Sequence, residues 1–228
     1  MSTALVATVK RGVNDREVGD IVRHALSWSC VRGVTLQPVQ DAGRNENFNK
    51  DTDRIMLSEI RRRVVETGVF GDADMIPLPC NPESISIGYG VRNGDQVLPV
   101  TSLIPQQQLV DIMPNTISLE KHPVLREKFI ELFSLSSGPL NTGQRISEFL
   151  CCLPQFEAPA NLGYESVFRV TIVQFLDRFN FCVGNVKRSC IHFVTPSGQI
   201  IPFDTYNLFY REGRIDDIRA SMAAGASR

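Results

Sequence analysis

Polar side chains that could bind a ligand follow two short apolar segments near the start of the sequence. The first group stands at the end of residues 4–9 and the second at the end of residues 33–37. The two groups are Thr8, Lys10, Arg11 and Asn14, and Gln37, Gln40 and Arg44. Lysine and arginine could neutralise a carboxylate or another anion of a ligand. The alternative is structural, with Asn14 capping a helix and the two cations lying at a solvated strand end.

Cysteine and histidine provide the other candidate chemistry. Cys80 stands in a Pro-Cys-Asn-Pro loop that could hold a thiolate, and Cys190 stands close to His192. Three of the other four cysteines fit small buried side chains better, and packing is also the favoured role of the histidines. These residues are Cys151, Cys152 and Cys182, and His24, His122 and His192. The sequence shows no hydrolase-type pair of nucleophile and base, no glycine-rich phosphate loop and no zinc-type Cys-x-x-Cys.

The elements that must position the first polar groups form one strand–helix–strand unit. Ala4–Val9 is short, apolar and β-branched, as expected for a buried parallel strand. Asn14 and Glu17 have the spacing of a capping box, and an apolar stripe of helical period follows them. Gly33–Gln37 is a second strand that Pro38 ends. A unit of this length predicts two neighbouring parallel strands, and ligands of such units bind at the carboxyl ends of the strands.

The rest of the chain changes character after about residue 70. We predict a helix over Arg54–Glu66, a loop or sheet edge over Met75–Cys80, and a hairpin of Ser84–Tyr89 with Gln96–Thr101. Further predictions are helices over Pro105–Met113, His122–Ser134 and Thr142–Leu153, a buried helix over Tyr164–Phe179, a second hairpin of Ser189–Thr195 with Gln199–Phe203, and a frayed tail from Arg211.

Composition limits the classes of function. The chain has 228 residues, 43% of them hydrophobic and 21% charged, which fits a globular protein. A net charge of −1 gives no general basic field, so nucleic acid is not an expected partner. No apolar run reaches the length of a membrane span, and no signal-peptide pattern is present. Six cysteines without an export signal favour reduced thiols, and we expect a cytoplasmic protein.

Several motifs together resemble a known family, the radical S-adenosylmethionine (radical SAM) enzymes. KRGVNDREVGDIV followed by VTLQPVQDAGR resembles the fifth and sixth strands of the radical SAM barrel, and the similarity continues in PLPCNP, GYG, FSLSSG, KRSCIHFVTPSG and PFDTYNLFYR. The large members that include the tetraether-lipid synthase are the nearest in motif, and the molybdenum-cofactor cyclase is more distant. The hallmark Cys-x-x-x-Cys-x-x-Cys loop is not in the sequence.

The resemblance implies an α/β fold, with the last βαβ units of a partial (βα)6 TIM-type barrel in residues 1–70 and an α+β extension in residues 71–228. It also implies that the polar strand ends lie near S-adenosylmethionine or substrate, with hydrogen bonds to adenine and Arg44 at the cavity mouth. Cys80 and Cys190 match positions of auxiliary iron–sulfur ligands. At two further ligand positions of the family this chain has Glu83-Ser84 and Asp204, and such clusters usually need four thiolates.

We therefore interpret the chain as the C-terminal part of a radical SAM enzyme, from a split or truncated gene. The intact enzyme would cleave S-adenosylmethionine at a 4Fe–4S cluster and abstract hydrogen from an unactivated carbon of a small-molecule or lipid-like substrate. This chain would supply cofactor and substrate contacts and, by itself, hold no cofactor and be inactive. Two alternatives stay open: a non-catalytic subunit that completes its barrel with another chain, such as the missing N-terminal half, and an unrelated small-molecule transferase.

Overall fold

The computed structural model describes residues 2–42, 45, 47–93, 96–102, 104–112, 166–211 and 213–225. In chain order the strands and helices are β1 (Thr3–Val9), α1 (Val18–Ser27), β2 (Val31–Pro38), α2 (Lys50–Asp53), α3 (Leu57–Val65), β3 (Met75–Pro77), β4 (Ile85–Asn93), β5 (Gln96–Pro99), α4 (Gln106–Ile112), β6 (Val167–Val173), α5 (Val183–Lys187), β7 (His192–Val194), β8 (Ile200–Pro202), α6 (Phe203–Thr205) and α7 (Arg214–Gly225). A π-helical turn, Tyr206–Tyr210, continues α6.

The main sheet of the described residues joins strands from both ends of the chain. Its order is β1-β2-β6-β4-β3, with β5 paired to β4. β1, β2 and β6 are parallel, whereas β4 runs antiparallel to β6, β3 and β5. The predicted parallel pairing of the first two strands is therefore confirmed. A mixed α/β fold is also confirmed, and β7 with β8 forms a separate hairpin.

Helices α1 and α3 cover one face of this sheet. Val22 of α1 and Val64 of α3 are fully buried against alternate side chains of β2 and β6. Because side chains alternate along a strand, this face takes Val34, Leu36, Phe168, Val170 and Ile172. At Gly33, which alternates with these residues, strands β2 and β6 approach closely, since a Cβ there would lie 2.3 Å from the carbonyl oxygen of Arg169. The apolar stripe predicted for the first helix is thus the stripe that packs on the sheet.

The opposite face divides into an apolar part and a polar part. On β4 it carries Ile87 and Tyr89, which pack with Leu109 of α4 in a second apolar cluster. On the parallel strands it carries Thr8 opposite Gln37 and Thr35 opposite Thr171. Polar side chains on one face of three adjacent strands indicate a surface that has a use other than packing.

The segment predicted as a buried helix, Tyr164–Phe179, is a strand over Val167–Val173. That prediction was wrong because a strand covered on both sides is apolar all along its length, as a buried helix is. The β-branched residues Val167, Val170, Thr171, Ile172 and Val173 favour the strand.

Most other elements follow the sequence prediction. Both hairpins, the helix after residue 54 and the helix after Pro105 are confirmed, and the Met75–Cys80 segment supplies the edge strand β3. The expected capping box is wrong in detail: a 3-10 turn, Asp15–Glu17, precedes α1, and Asn14 makes no side-chain cap to it. The expected frayed tail is helix α7 over Arg214–Gly225. The predicted helices over His122–Ser134 and Thr142–Leu153 lie outside the described residues.

Among the described helices, none has both the length and the apolar character that crossing a membrane would require.

Candidate functional site

Two adjoining cavities lie at the carboxyl ends of the parallel strands. The larger has a volume of about 410 Å³ and the smaller about 330 Å³, and both are lined by Gln37 and Phe175. The larger cavity takes Thr35 from β2, Thr171 and Val173 from β6, and residues of the β3–β4 and α5–β7 connections. The smaller takes Thr8 from β1 and the loop after β2. Ligand sites of parallel sheets occupy this position.

The loops after β2 and β6 are fastened to each other by a buried carboxylate. Asp177 is 1% exposed and accepts the Asp41 backbone N–H at 3.2 Å and the Phe179 backbone N–H at 2.8 Å. The side chain of Asp41 forms an ion pair with Arg178. These contacts hold the two loops together on either side of the smaller cavity, so its walls are set by the fold.

The smaller cavity contains three of the residues predicted as cofactor contacts. Thr8, Gln37 and Gln40 all line it. The Nε2 atom of Gln40 is buried and has no hydrogen-bond partner among the described residues. Since a buried amide without a partner costs free energy, this donor suits a ligand that offers an acceptor.

The other predicted contacts make structural bonds. Lys10 Nζ lies 2.9 Å from Asp53 Oδ2, and this contact is the main cause that lowers the pKa of Asp53. Arg11 donates to the Glu59 carboxylate at 2.7 Å and to the Arg54 carbonyl at 2.8 Å. Both cations therefore tie the end of β1 to the α2–α3 region.

Asn14 also bonds to the end of β1. It accepts the Lys10 N–H at 2.9 Å and donates to the Thr8 carbonyl at 2.9 Å, which holds the turn between the strand and α1. Gly12 in this turn has a φ of 73°. Arg44 lies outside the described residues. A ligand role for these four residues stays a prediction.

The two cysteines predicted as metal ligands meet at the larger cavity. Cys190 Sγ lies 2.9 Å from Cys80 Sγ, although 110 residues separate them, and both line the cavity. Burial, and next the hydrogen bond with Cys190, raise the pKa of the Cys80 thiol to about 11. Cys80 is therefore a protonated thiol at neutral pH in the metal-free protein.

The residues around this pair do not fit an auxiliary iron–sulfur cluster. Among the described residues, no group of three or more His, Cys, Asp or Glu side chains is placed to hold a metal. Ser84 and Asp204, which stand at the two further ligand positions of the resembled family, do line the same cavity. Four positions that the resemblance groups together thus converge, but only two of them are cysteines. Cys151 and Cys152 lie outside the described residues.

Several lining residues were not predicted from the sequence. Thr35 could have been found, because it alternates with Val34 and Leu36 and so shares a strand face with Gln37. Phe175 was not found because the sequence predicted a buried helix over Tyr164–Phe179. For Asp204 the sequence indicates only that it stands at a position where the resembled family often has a cysteine ligand. Its carboxylate is 8% exposed, accepts the Leu176 backbone N–H at 2.7 Å, and has its pKa raised by burial.

Comparison with curated proteins finds a relative along nearly the whole chain. It is 7,8-dihydro-6-hydroxymethylpterin dimethyltransferase of Methanocaldococcus jannaschii, 30% identical over 248 aligned positions. The alignment covers 92% of this chain and 49% of the relative, so the chain spans about half the length of the curated protein it matches. This similarity supports the radical SAM superfamily. It does not single out the tetraether-lipid synthase within the radical SAM enzymes. No protein-family model matches the chain.

Proposed function

We propose that this chain is the C-terminal portion of a radical SAM methyltransferase-like enzyme that acts on a small heterocycle of pterin type. The reaction class and the substrate class come from the relative, a dimethyltransferase of a hydroxymethylpterin that is 30% identical. The observation that carries the proposal is the placement of two joined cavities at the ends of β1, β2 and β6. The cavities have the size of small-molecule sites, which range from about 300 to 1,000 Å³.

We assign the smaller cavity to the nucleoside of S-adenosylmethionine. Thr8, Gln37 and Gln40 offer hydroxyl and amide groups there, and the unpartnered Nε2 of Gln40 is a donor for an adenine or ribose acceptor. The larger cavity, which shares Gln37 and Phe175 with the smaller one, then takes the substrate. Cofactor and substrate would meet where the two cavities join.

We also infer that the sheet is the last part of a partial (βα)6 barrel. Helices α1 and α3 cover the face that would be outer in a barrel, and the polar side chains Thr35 and Thr171 lie on the other face. β1 is the edge strand of the sheet, and its Val6 is 65% exposed. These features favour the radical SAM portion over an unrelated transferase. Completion of the barrel by preceding strands, in the same or another chain, is part of the proposal.

Cys80 and Cys190 have no role in the proposed reaction. The sequence lacks the Cys-x-x-x-Cys-x-x-Cys loop, and the described residues lack the ligands for an auxiliary cluster. In the intact enzyme a 4Fe–4S cluster would supply the electron that cleaves S-adenosylmethionine. The residues of this chain would bind and orient the nucleoside and the substrate.

The cofactor assignment can be tested by calorimetric titration of the full 228-residue chain with S-adenosylhomocysteine, which is not cleaved. Because residues of this chain already line the smaller cavity, we expect saturable one-to-one binding, in contrast to the sequence-based expectation that the chain alone holds no cofactor. Gln40→Ala should weaken this binding about tenfold, since one hydrogen bond contributes about 1.4 kcal/mol. Gln108→Ala is the matched control, because Gln108 is exposed on α4.

Two results would overturn the assignment of the smaller cavity. The first is that S-adenosylhomocysteine gives no binding heat with the folded wild-type chain, or that S-adenosylmethionine does not compete with its binding. The second is equal affinity of the Gln40→Ala and Gln108→Ala variants, which would show binding at some other place on the chain.

A further inference from the structure

The carboxyl group of Asp204 lines the larger cavity and has spare hydrogen-bonding capacity. It stands on α6, directly after the β7–β8 hairpin, and one oxygen accepts the Leu176 N–H at 2.7 Å. A carboxylate has about four acceptor sites, so it can accept hydrogen bonds beyond those from the backbone N–H groups of Leu176 and Asp204 itself, and Asp204 is part of the cavity lining. Asp204 thus presents an acceptor that a ligand in the cavity could reach.

The rest of the cavity wall decides what kind of ligand this would be. The lining residues that the structure describes include no lysine, arginine or histidine, so this part of the wall offers no cation to a phosphate or carboxylate. Asn81 is 8% exposed, and its Oδ1 is a second buried acceptor without a partner among the described residues. Leu78, Ile85 and Phe175 supply apolar and aromatic surface. Acceptors within apolar walls suit a flat ring that carries N–H donors.

We propose that Asp204 is a specificity residue that accepts hydrogen bonds from the ring N–H and the 2-amino group of a pterin. This inference rests on the proposed function, from which the substrate class is taken. A carboxylate suits this edge because each oxygen has two lone pairs: the oxygen that accepts from Leu176 can accept one ring donor as well, and the other oxygen can accept the adjacent donor. Burial raises the pKa of Asp204 in the free protein, and N–H donors would favour its charged form.

The position of Asp204 explains why a carboxylate is useful there. In the resembled family this place in the motif is often cysteine, and here it lies in the same cavity as the Cys80–Cys190 pair. Without a full set of metal ligands among the described residues, the cavity is open to an organic ligand. Among the described lining residues, this carboxylate then supplies the only negative charge.

The test is a fluorescence titration of the folded full-length chain with 6-hydroxymethylpterin under anaerobic conditions. We expect saturable binding to the wild type and a loss of about 10- to 100-fold in affinity for Asp204→Asn, in which an amide donor can face a ring donor. Asp217→Asn is the matched control, because Asp217 is exposed on α7. It should bind the pterin as the wild type does.

A second comparison uses the wild-type chain alone, so it does not depend on the folding of a variant. A pterin analogue that lacks the 2-amino group should bind about 10-fold or more weakly than 6-hydroxymethylpterin. Equal affinities for the two ligands, or for Asp204→Asn and Asp217→Asn, would overturn the role of Asp204 and leave the proposed substrate class standing. Absence of pterin binding to the wild type would overturn the substrate class itself.

Discussion

Arg92 should be one of the main single-residue supports of the fold, because it fastens β4 to the turn between α1 and β2. Its guanidinium donates to the Leu26 carbonyl at 2.6 Å and to the Trp28 and Val31 carbonyls at 3.0 Å each. Leu26 is in the last turn of α1, where carbonyls have no partner within the helix. A cation there also complements the helix dipole.

The cost of replacing Arg92 can be estimated from these three bonds. Arg92 is 8% exposed, so water cannot simply replace the guanidinium. Arg92→Met keeps much of the length and apolar volume but leaves three carbonyls without their donor, at about 1 kcal/mol or more each. We expect the free energy of unfolding to fall by about 3 kcal/mol. This is a large share of the roughly 5–15 kcal/mol that is typical of a domain. Arg92→Lys should lose about half as much, since an ammonium cannot span all three carbonyls.

Urea unfolding followed by circular dichroism measures this cost. Arg23→Met is the control: Arg23 forms an exposed ion pair with Asp20 at 2.7 Å, worth less than about 1 kcal/mol. Unfolding of Arg92→Met and Arg23→Met at the same urea concentration, with the same slope, would contradict the role of the three Arg92 bonds. If Arg92→Lys were as stable as the wild type, a positive charge at this position would be sufficient for stability, and hydrogen bonds to all three carbonyls would not be needed.

Two further predictions concern close packing and the thiol pair. Gly33→Ala should destabilise the sheet by about 1–3 kcal/mol, because its Cβ would press on the Arg169 backbone, whereas Gly184→Ala, with only a sulfur at 3.6 Å, should unfold at the wild-type urea midpoint. With the pKa of Cys80 at about 11, alkylation followed by mass spectrometry should show its rate rising roughly tenfold per pH unit between pH 7 and 10. Cys190→Ala should speed this reaction at pH 8, since Cys190 raises that pKa, and an unchanged rate would contradict the contact.

The raised pKa of Cys80 also sets the direction of a pH effect on stability. In the unfolded chain this thiol ionises near its ordinary value of 9.0, whereas in the folded chain it stays protonated up to about pH 11. The unfolded state therefore releases the proton first, and this contribution to stability falls as pH rises between these two values. Thermal denaturation of Cys80→Ala should show a shallower decline over that range than the wild type.

The first part of the fold could be predicted because its signals are local. β-branched residues, a glycine break and a helical stripe occur in order between Ala4 and Gln37, and the parallel strands follow from the length of the unit. The hairpin of β4 and β5 is equally local. The position of β6 could not be predicted, because it pairs with β2 from 136 residues further along the chain, with Arg169 beside Gly33. Periodicity alone does not distinguish a buried strand from a buried helix, although the β-branched residues of β6 favour the strand.

The same distinction holds for the site. Gln37 and Gln40 could be placed at a strand end from their spacing, whereas Lys10 and Arg11 have the same local pattern but bond to Asp53 and Glu59. Local pattern cannot show which cations find an acidic partner more than 40 residues away. The resemblance grouped Cys80 with Cys190, and no local signal could have done so.

The polar face of the parallel strands is the strongest internal argument that this region binds something. Thr171 is 2% exposed in the middle of β6, where its neighbours Val170 and Ile172 are fully buried apolar residues. A chain selected only to fold would be more stable with valine there, because a buried hydroxyl must be hydrogen-bonded to avoid a free-energy cost. The polar residues lie together on this face: Thr171 lies beside Thr35, and Thr8 lies beside Gln37. Thr35 and Thr171 line the larger cavity, Thr8 lines the smaller one, and Gln37 lines both. On β4, beyond the cavities, the same face returns to Ile87 and Tyr89 and is packed. The change from apolar to polar along one continuous face thus marks the extent of the proposed ligand site.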